Sequence, residues 1–454
     1  MNRTFATICT VLGMMVQAAP LQAAPKLIQA GPMIGHVDDD EARIWIRVKA
    51  GAVITASLWQ SDRVYRPTRI EDLESGFRVL HFSQISATTE SSVQLEVTRD
   101  GSKLETASVA FSTAPAPSAT GLLRVAFGSC SKVSQYKTGP IYSAIATEKP
   151  DMALFVGDNS YFIVGDGSDN HFSTSGPVGD WTSMEGMLHR HLMTRVHPEL
   201  QAMFRTVPSY AVWDDHDYGP NNADRTFELR EEATHAFRQM WANPSYGTPS
   251  TPGVFSAFRH GPAEIFLMDD RYYKYSPQEH DDVTPETGSI WGEAQLEWLI
   301  EGLKNSSAPI KLIANGTQIL SKSEGGEGHY REATTELHRL ITSIQTYEIG
   351  GVVFLTGDRH FSEAMQQRLP NGPLLIDCTS SPLQQDQKVG PLEGREHENR
   401  LWAMRGNNFG LITIDIAKKG QGTITFETRD ESNQLCVVEG KPCRTEWQLS
   451  DLSY

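Results

Sequence analysis

Three carboxylates and an imidazole stand in four consecutive positions, Asp214, Asp215, His216 and Asp217, directly after Trp213. In a folded, partly dry setting such groups repel one another, and the remedies are protonation, cationic partners or bound metal. Taken alone, the string serves equally well as a polar turn with a helix cap. Three further stretches carry comparable residues: Phe127-Gly128-Ser129-Cys130, Gly157-Asp158-Asn159-Ser160-Tyr161 and Thr356-Gly357-Asp358-Arg359-His360. Asp158 and Tyr161, three apart, can face one cation across a turn, and Asp358 and His360, two apart, share a side of an extended chain. Carboxylate, phenolate, thiolate and imidazole form a mixed hard and soft donor set. The anionic oxygens suit ferric iron or calcium, the thiolate suits iron or zinc, and a two-metal cluster is the natural product.

Each residue also has a plainer reading. A lone cysteine is more often a small buried hydrophobe than a ligand, and an aspartate after a strand commonly caps a helix. Tyr161 alone is more often core, and His360 alone more often hydrogen-bonded than metallated. The case for chemistry rests on conjunction, because four such stretches in one domain are hard to explain as four unrelated turns.

What would bring them together is a sheet. Each stretch follows a short apolar run, and the runs at Leu123 to Phe127, Met152 to Val156, Tyr210 to Trp213, Ile265 to Met268, Ile310 to Ala314, Val352 to Thr356 and Leu374 to Ile376 read as buried strands. Thr226 to Trp241 and Gly292 to Lys304 place apolar residues on one helical face. The result is an α/β domain with its polar residues at strand ends, where such sheets place ligands. Two tail runs, Gly410 to Ile416 and Gly422 to Arg429, read as further strands. The Gly-, Ser- and Asp-rich loop from Phe162 to Asp180, with His171, is more often an ordinary surface excursion than a functional lid.

Ahead of this domain, residues 26–113 alternate with period two, as in Arg43 to Val48 and Ser92 to Val97, and predict an all-β sandwich of immunoglobulin or fibronectin size with no cluster suggesting chemistry. The stretch Thr113-Ala114-Pro115-Ala116-Pro117-Ser118 reads as a linker. The first residues, with Arg3, an apolar run from Phe5 to Val16 and small residues to Ala24, predict a secretory signal peptide over 1–23. The apolar run is too short to anchor the protein permanently, so the expected location is secreted or periplasmic, with no membrane segment after cleavage. In an oxidising compartment Cys436 and Cys443 form a candidate disulfide, and Cys130 and Cys378 must be buried, paired or ligated. With 40 basic against 56 acidic side chains the net charge is −16, which disfavours a nucleic-acid scaffold. An anionic substrate would need local positive charge, from metal or a few arginines. Oligomeric state stays open.

The ordered set of motifs resembles the PhoD-like alkaline phosphatase/phosphodiesterase family of the calcineurin-like metallophosphatases. It comprises the four stretches above together with Met268-Asp269-Asp270-Arg271 and the segment Gly292-Glu293-Ala294-Gln295-Leu296-Glu297-Trp298-Leu299. The resemblance spans about 121 to 380 and implies a four-layer α/β/β/α sandwich, here a catalytic domain over 121–454 with a C-terminal β extension. It implies Fe3+ held by Cys130, Asp158, Tyr161 and His360, with Asp158 bridging to Ca2+ on Asp215, Asp358 and Asn222; Zn2+ and Mn2+ are the other metals in view. The metals would neutralise phosphate oxygens and activate a water for in-line attack on phosphorus, while His216 stabilises charge or protonates the leaving alkoxide. Arg359 and Arg271 are the nearest sequence candidates for phosphate oxygens, although Arg271 equally suits a structural fork with Asp269 or Asp270. Two departures stand out: Asp217 replaces the usual glutamate, and no histidine lies near Ala314-Asn315-Gly316. The expectation is a metal-dependent phosphoesterase acting on small monoesters or diesters. The alternatives are a phospholipase D-like hydrolase of lipid headgroup diesters and an inactive protein that binds through its β domain.

Overall fold

The computed structural model describes residues 26–101, 103–133, 138–162, 180–322, 326–385, 387–392 and 398–454. The expected signal peptide and residues 163–179 of the expected loop, His171 among them, lie outside these. Among the described residues no helix is long and apolar enough to cross a membrane.

Residues 28–112 form two four-stranded antiparallel sheets. One runs in the order Ile28–Val37, Glu41–Val48, Phe77–Ser83, Arg69–Asp72, and the other Arg63–Tyr65, Val53–Gln60, Glu90–Arg99, Lys103–Ser112. Strict alternation in Glu90–Arg99 sends Val93, Leu95 and Val97 inward, where they meet Ile44, Ile46 and Leu80 of the facing sheet. Glu41–Val48 breaks the alternation, for Trp45 is buried as well. Its indole lies on the outer face of the first sheet and donates from Nε1 to the Gln239 carbonyl at 2.7 Å. His36 N donates to the Ala242 carbonyl at 2.9 Å, and a Cβ at Gly35 would stand 2.4 Å from the Ala242 Cβ. The sandwich is therefore seated on the α/β half through Met33, Trp45 and Phe77 on the outer face of its first sheet.

The remainder is a mixed α/β sandwich built on two sheets. In the first, Ser209–Val212, Met152–Val156 and Gly121–Gly128 are parallel, and Phe409–Lys418, Gln421–Arg429 and Arg444–Gln448 continue antiparallel. In the second, Ala263–Leu267, Ile310–Ala314, Val352–Thr356 and Leu374–Thr379 are parallel, with Ser256–His260 and Ser362–Arg368 antiparallel at either side. Val125, Leu154, Val212 and Ile412 of the first sheet pack on Ile265, Leu312, Leu355 and Ile376 of the second. Helices cover both outer faces. Pro140–Glu148, Met184–Arg195, Pro198–Phe204 and Arg230–Met240 lie on the first, and Gly292–Asn305 and Thr334–Thr346 on the second. Burial of both faces explains why the central strands read as continuous apolar runs.

Two expectations need correction. The helix expected from Thr226 begins at Arg230, because Asp224 Oδ1 takes both the amide (2.9 Å) and hydroxyl (2.7 Å) of Thr226 and holds that segment in a turn. Cys436 and Cys443 are free and buried, packed with Met404 in a small apolar cluster of their own. Cys378 is buried between the sheets.

Candidate metal centre

The carboxyl ends of the parallel strands from both sheets meet at one place. Gly357 N donates to the Gly316 carbonyl at 2.8 Å, Cys130 N to the Gly157 carbonyl at 3.3 Å, and Ser131 N to the Asp158 carbonyl at 2.9 Å. The Ser129 hydroxyl accepts from Asp358 N at 3.1 Å and donates to Cys130 Sγ at 3.3 Å. Such closeness needs glycine: a Cβ at Gly157 would lie 2.5 Å from the Asp214 Cβ, and one at Gly357 2.5 Å from the Ser129 Cβ. Immediately beyond, Cys130, Asp158, Asp358 and His360 all adopt left-handed backbone, with φ of 59°, 53°, 66° and 52°. This region is uncommon for any residue but glycine and concentrates at functional sites.

Those turns bring most of the expected residues together. The donor atoms of Cys130, Asp158 and His360 lie within 4.8 Å of one another, as do those of Asp158, Asp215 and His216. Asp158 belongs to both groups. Its Oδ2 accepts from the Tyr161 hydroxyl at 2.9 Å and from Cys130 Sγ at 3.3 Å, and its Oδ1 from the His216 amide at 3.3 Å. Asp358 joins through its carbonyl, 3.6 Å from Cys130 Sγ. Asn222 approaches differently: its backbone N donates to Asp215 Oδ2 at 2.7 Å, while its side-chain amide is turned to Glu279 at 2.7 Å.

The electrostatics follow from crowding. Burial, then the charges of Asp215, Asp217 and Asp358, push Asp158 well above the carboxylate range. Burial together with Asp158 does the same to the Cys130 thiol and the Tyr161 phenol. Asp358 rises to about 7, through burial and despite Arg359. Asp215 goes the other way, since His216, Arg271 and the Asn222 amide outweigh its burial. Burial lowers His216 and holds its imidazole neutral at ordinary pH.

Around this centre the other motif residues form scaffold. Arg271 is fully buried, donates from Nε to Asp214 Oδ1 at 2.6 Å, and closes on Asp214 and Glu327 through Nη2. Its fork is thus made with Asp214 and Glu327, not with Asp269, and Asp270 stays 3.9 Å away. Asp269 instead accepts from Trp213 Nε1 at 2.7 Å and from Val254 N at 2.9 Å, while Gln295 clasps its backbone with two bonds of 2.8 Å. Asp217 accepts from Asp214 N (2.7 Å) and from the amide and side chain of Asn159 (3.0 and 2.6 Å), tying two strand ends together. Asn315, in the stretch that lacks a histidine, accepts from Trp291 Nε1 at 2.9 Å. Arg359 keeps its Nη1 3.7 Å from Asp358 Oδ2 and lies where any side chain at Gly326 would have to be.

Three neighbours were not anticipated. Gln385 Nε2 donates to the Tyr161 hydroxyl at 2.6 Å, Glu327 receives both Arg271 and Lys274, and the Lys132 ammonium lies 5.1 Å from the Tyr161 ring centroid. Lys132 had a usable signal, a cation two residues after Cys130. Glu327 and Gln385 follow no motif.

A profile of the PhoD-like phosphatase family matches residues 125–434. The chain is similar to a solved structure described as PhoD, with a TM-score of 0.72 and 17% identity over 96% of this chain and 92% of that one. It is also similar to the purple acid phosphatase PPD1 from yellow lupin (Lupinus luteus) seeds, with a TM-score of 0.61 and 11% identity over 91% of this chain and 73% of that one. At such identities the likeness is one of fold, and the fold is that of the metallophosphatases. A search of curated proteins finds no match. The family profile runs across every strand end that carries the donors, so the chain belongs to the PhoD-like phosphatase family and is a phosphoester hydrolase.

Proposed function

We propose that this hydrolase is a secreted or periplasmic phosphoesterase that uses a metal pair to cleave small phosphate monoesters or diesters. The observation that carries the reading is Asp158, whose carboxylate is shared between the Cys130–His360 group and the Asp215–His216 group. A single carboxylate common to two donor sets is what a bridged pair of cations requires. The donors fit such a pair, because the buried anionic groups of Cys130, Asp158 and Tyr161 resist ionisation unless positive charge is added. The thiolate, phenolate and imidazole of Cys130, Tyr161 and His360 suit iron, and the carboxylates of Asp158, Asp215 and Asp358 suit calcium. When bound, the pair supplies Lewis acidity toward phosphate oxygens and an activated water.

The chain's own residues do the rest. His216 lies under the Tyr161 ring with Nε2 3.9 Å from Asp215 Oδ1, which orients it toward the leaving oxygen as a hydrogen-bond donor. Arg359 is the guanidinium retained for phosphate oxygens. Arg271 we assign to holding Asp214 and Glu327 in place, since its donors are already committed there. Asn222 we assign to orienting Asp215 through its backbone N–H.

The test compares a nitrophenyl monoester with the bis-nitrophenyl diester, with and without added calcium and after chelation. Calcium-dependent turnover lost on chelation supports the reading. No turnover of either ester by metal-loaded protein overturns it for these substrates and moves the search to lipid headgroup diesters. Secretion is tested separately, by whether the mature chain begins at Ala24.

A further inference from the structure

Resting on that reading, we propose that Gln385 is a positioning residue of the metal centre: its side-chain amide aims the Tyr161 oxygen and takes up part of that oxygen's negative charge when Tyr161 ligates iron.

Gln385 lies in none of the four donor-bearing stretches, and backbone pairing brings it to the centre. Residues 383–385 run alongside the Cys130 turn, where Leu383 N donates to the Ser129 carbonyl at 2.8 Å, Gln384 N to the Cys130 carbonyl at 3.3 Å, and Lys132 N to the Gln384 carbonyl at 3.0 Å. Just beyond, the backbone is clamped by the buried Asn407, whose Oδ1 accepts from Gln385 N at 3.0 Å and from Gln387 N at 3.4 Å. Asn407 is held in turn, its Nδ2 donating to Glu431 Oε1 at 3.0 Å. Asn407 precedes the Phe409–Lys418 strand and Glu431 follows Gln421–Arg429, so the C-terminal β extension fixes where the Gln385 side chain departs.

That side chain ends on the Tyr161 hydroxyl, to which Nε2 donates at 2.6 Å, while the hydroxyl itself donates to Asp158 Oδ2 at 2.9 Å. Two partners from separate parts of the chain therefore set the direction of one oxygen. A glutamine amide does not ionise, so it goes on donating after Tyr161 has given up its proton. Hydrogen bonds to an ionised oxygen are about twice as strong as those between neutral groups, and they favour the charged form. Tyr161 is buried, which leaves little room for water to supply that bond. Its ring also lies 4.6 Å from that of His216, so an oxygen held in place steadies the surface on which the imidazole rests. Partners of this kind, which touch a ligand and not the metal, tune both affinity and electronics at metal sites.

The experiment uses full-length protein loaded with iron and calcium, and reads iron content, iron affinity and the phenolate-to-iron absorption band for each variant. Gln385→Met fills similar space without a donor. It should move the band to longer wavelength by about 15–30 nm, the optical equivalent of one hydrogen bond to a charged group, and weaken iron binding against a competing chelator by about tenfold. Gln385→Glu keeps the outline of the side chain but sets an anionic oxygen against the phenolate, so it should shift the band at least as far and lower iron content further. A residue that only filled space would tolerate Glu with no change in the band. An unmoved band with unchanged iron affinity in Gln385→Met would overturn the role of Gln385 and leave the metal pair standing. Wild-type protein that holds iron but shows no such band would overturn both this role and the ligation by Tyr161 on which it rests.

Discussion

The Tyr161 ring lies over the His216 imidazole with centroids 4.6 Å apart and planes 30° from parallel, while its hydroxyl donates to Asp158 Oδ2 at 2.9 Å. One side chain thus spans the shared carboxylate and the histidine assigned to the leaving group. Tyr161→Phe keeps the stack and removes the oxygen. The expected result is loss of a long-wavelength phenolate-to-iron absorption band and a fall in turnover of at least about tenfold, with calcium retained. An unchanged spectrum would remove Tyr161 from the ligand set.

Cys130→Ser separates the two metals. The serine hydroxyl is a poorer ligand for iron than a thiolate, so elemental analysis should show iron lost and calcium largely kept. Loss of calcium alone would reverse the assignment of the two sides.

His216→Ala should cost turnover by about 100-fold or more, as removal of a proton-transfer group does, with metal content near that of the wild type. If metal and activity fall together, His216 is a ligand, for its donor atom lies within 4.8 Å of those of Asp158 and Asp215.

Arg271→Met leaves Asp214 and Glu327 buried without their shared cation. Breaking a buried pair in this way costs about 3–5 kcal/mol. A lowered thermal midpoint with phosphate affinity nearly intact is the outcome that fits a scaffold; weakened phosphate binding in a protein of normal stability would return Arg271 to the substrate.

His260 gives a pH signature away from the centre. Burial, with added repulsion from His36 and slight support from Asp38, lowers it from 6.5 to about 4. The unfolded chain therefore takes up a proton that the folded chain refuses between those values. Stability is full above about pH 6.5, falls as pH drops through the window, and levels off below about pH 4, for a total near 3 kcal/mol from this group. His260→Gln should flatten that part of the pH–stability curve, and a variant with an unchanged slope would contradict the account.

The central parallel strands and the four donor-bearing ends were legible because buried parallel strands write themselves as apolar runs and place polar residues where they stop. What escaped was whatever depends on space more than on chain. Trp45 breaks its strand's alternation because a second structural unit covers it. Arg271 was matched to its sequence neighbours, whereas its partner Asp214 lies 57 positions away. Glu327 and Gln385 reach the centre from loops whose sequence carries no pattern, and the late start of the Arg230–Met240 helix turns on a single side chain, Asp224.

The left-handed turns at Cys130, Asp158, Asp358 and His360 act as a filter on heredity. A residue branched at Cβ is strained in that conformation, and valine, isoleucine and threonine are thereby discouraged at four positions before any question of chemistry arises. What the backbone readily admits there is glycine and a few unbranched residues, with Asp, Asn and His enriched among them. The alphabet open to mutation at these corners is thus already weighted toward side chains that bind metals, and drift within it can trade one cation for another without rebuilding the sheets that hold them.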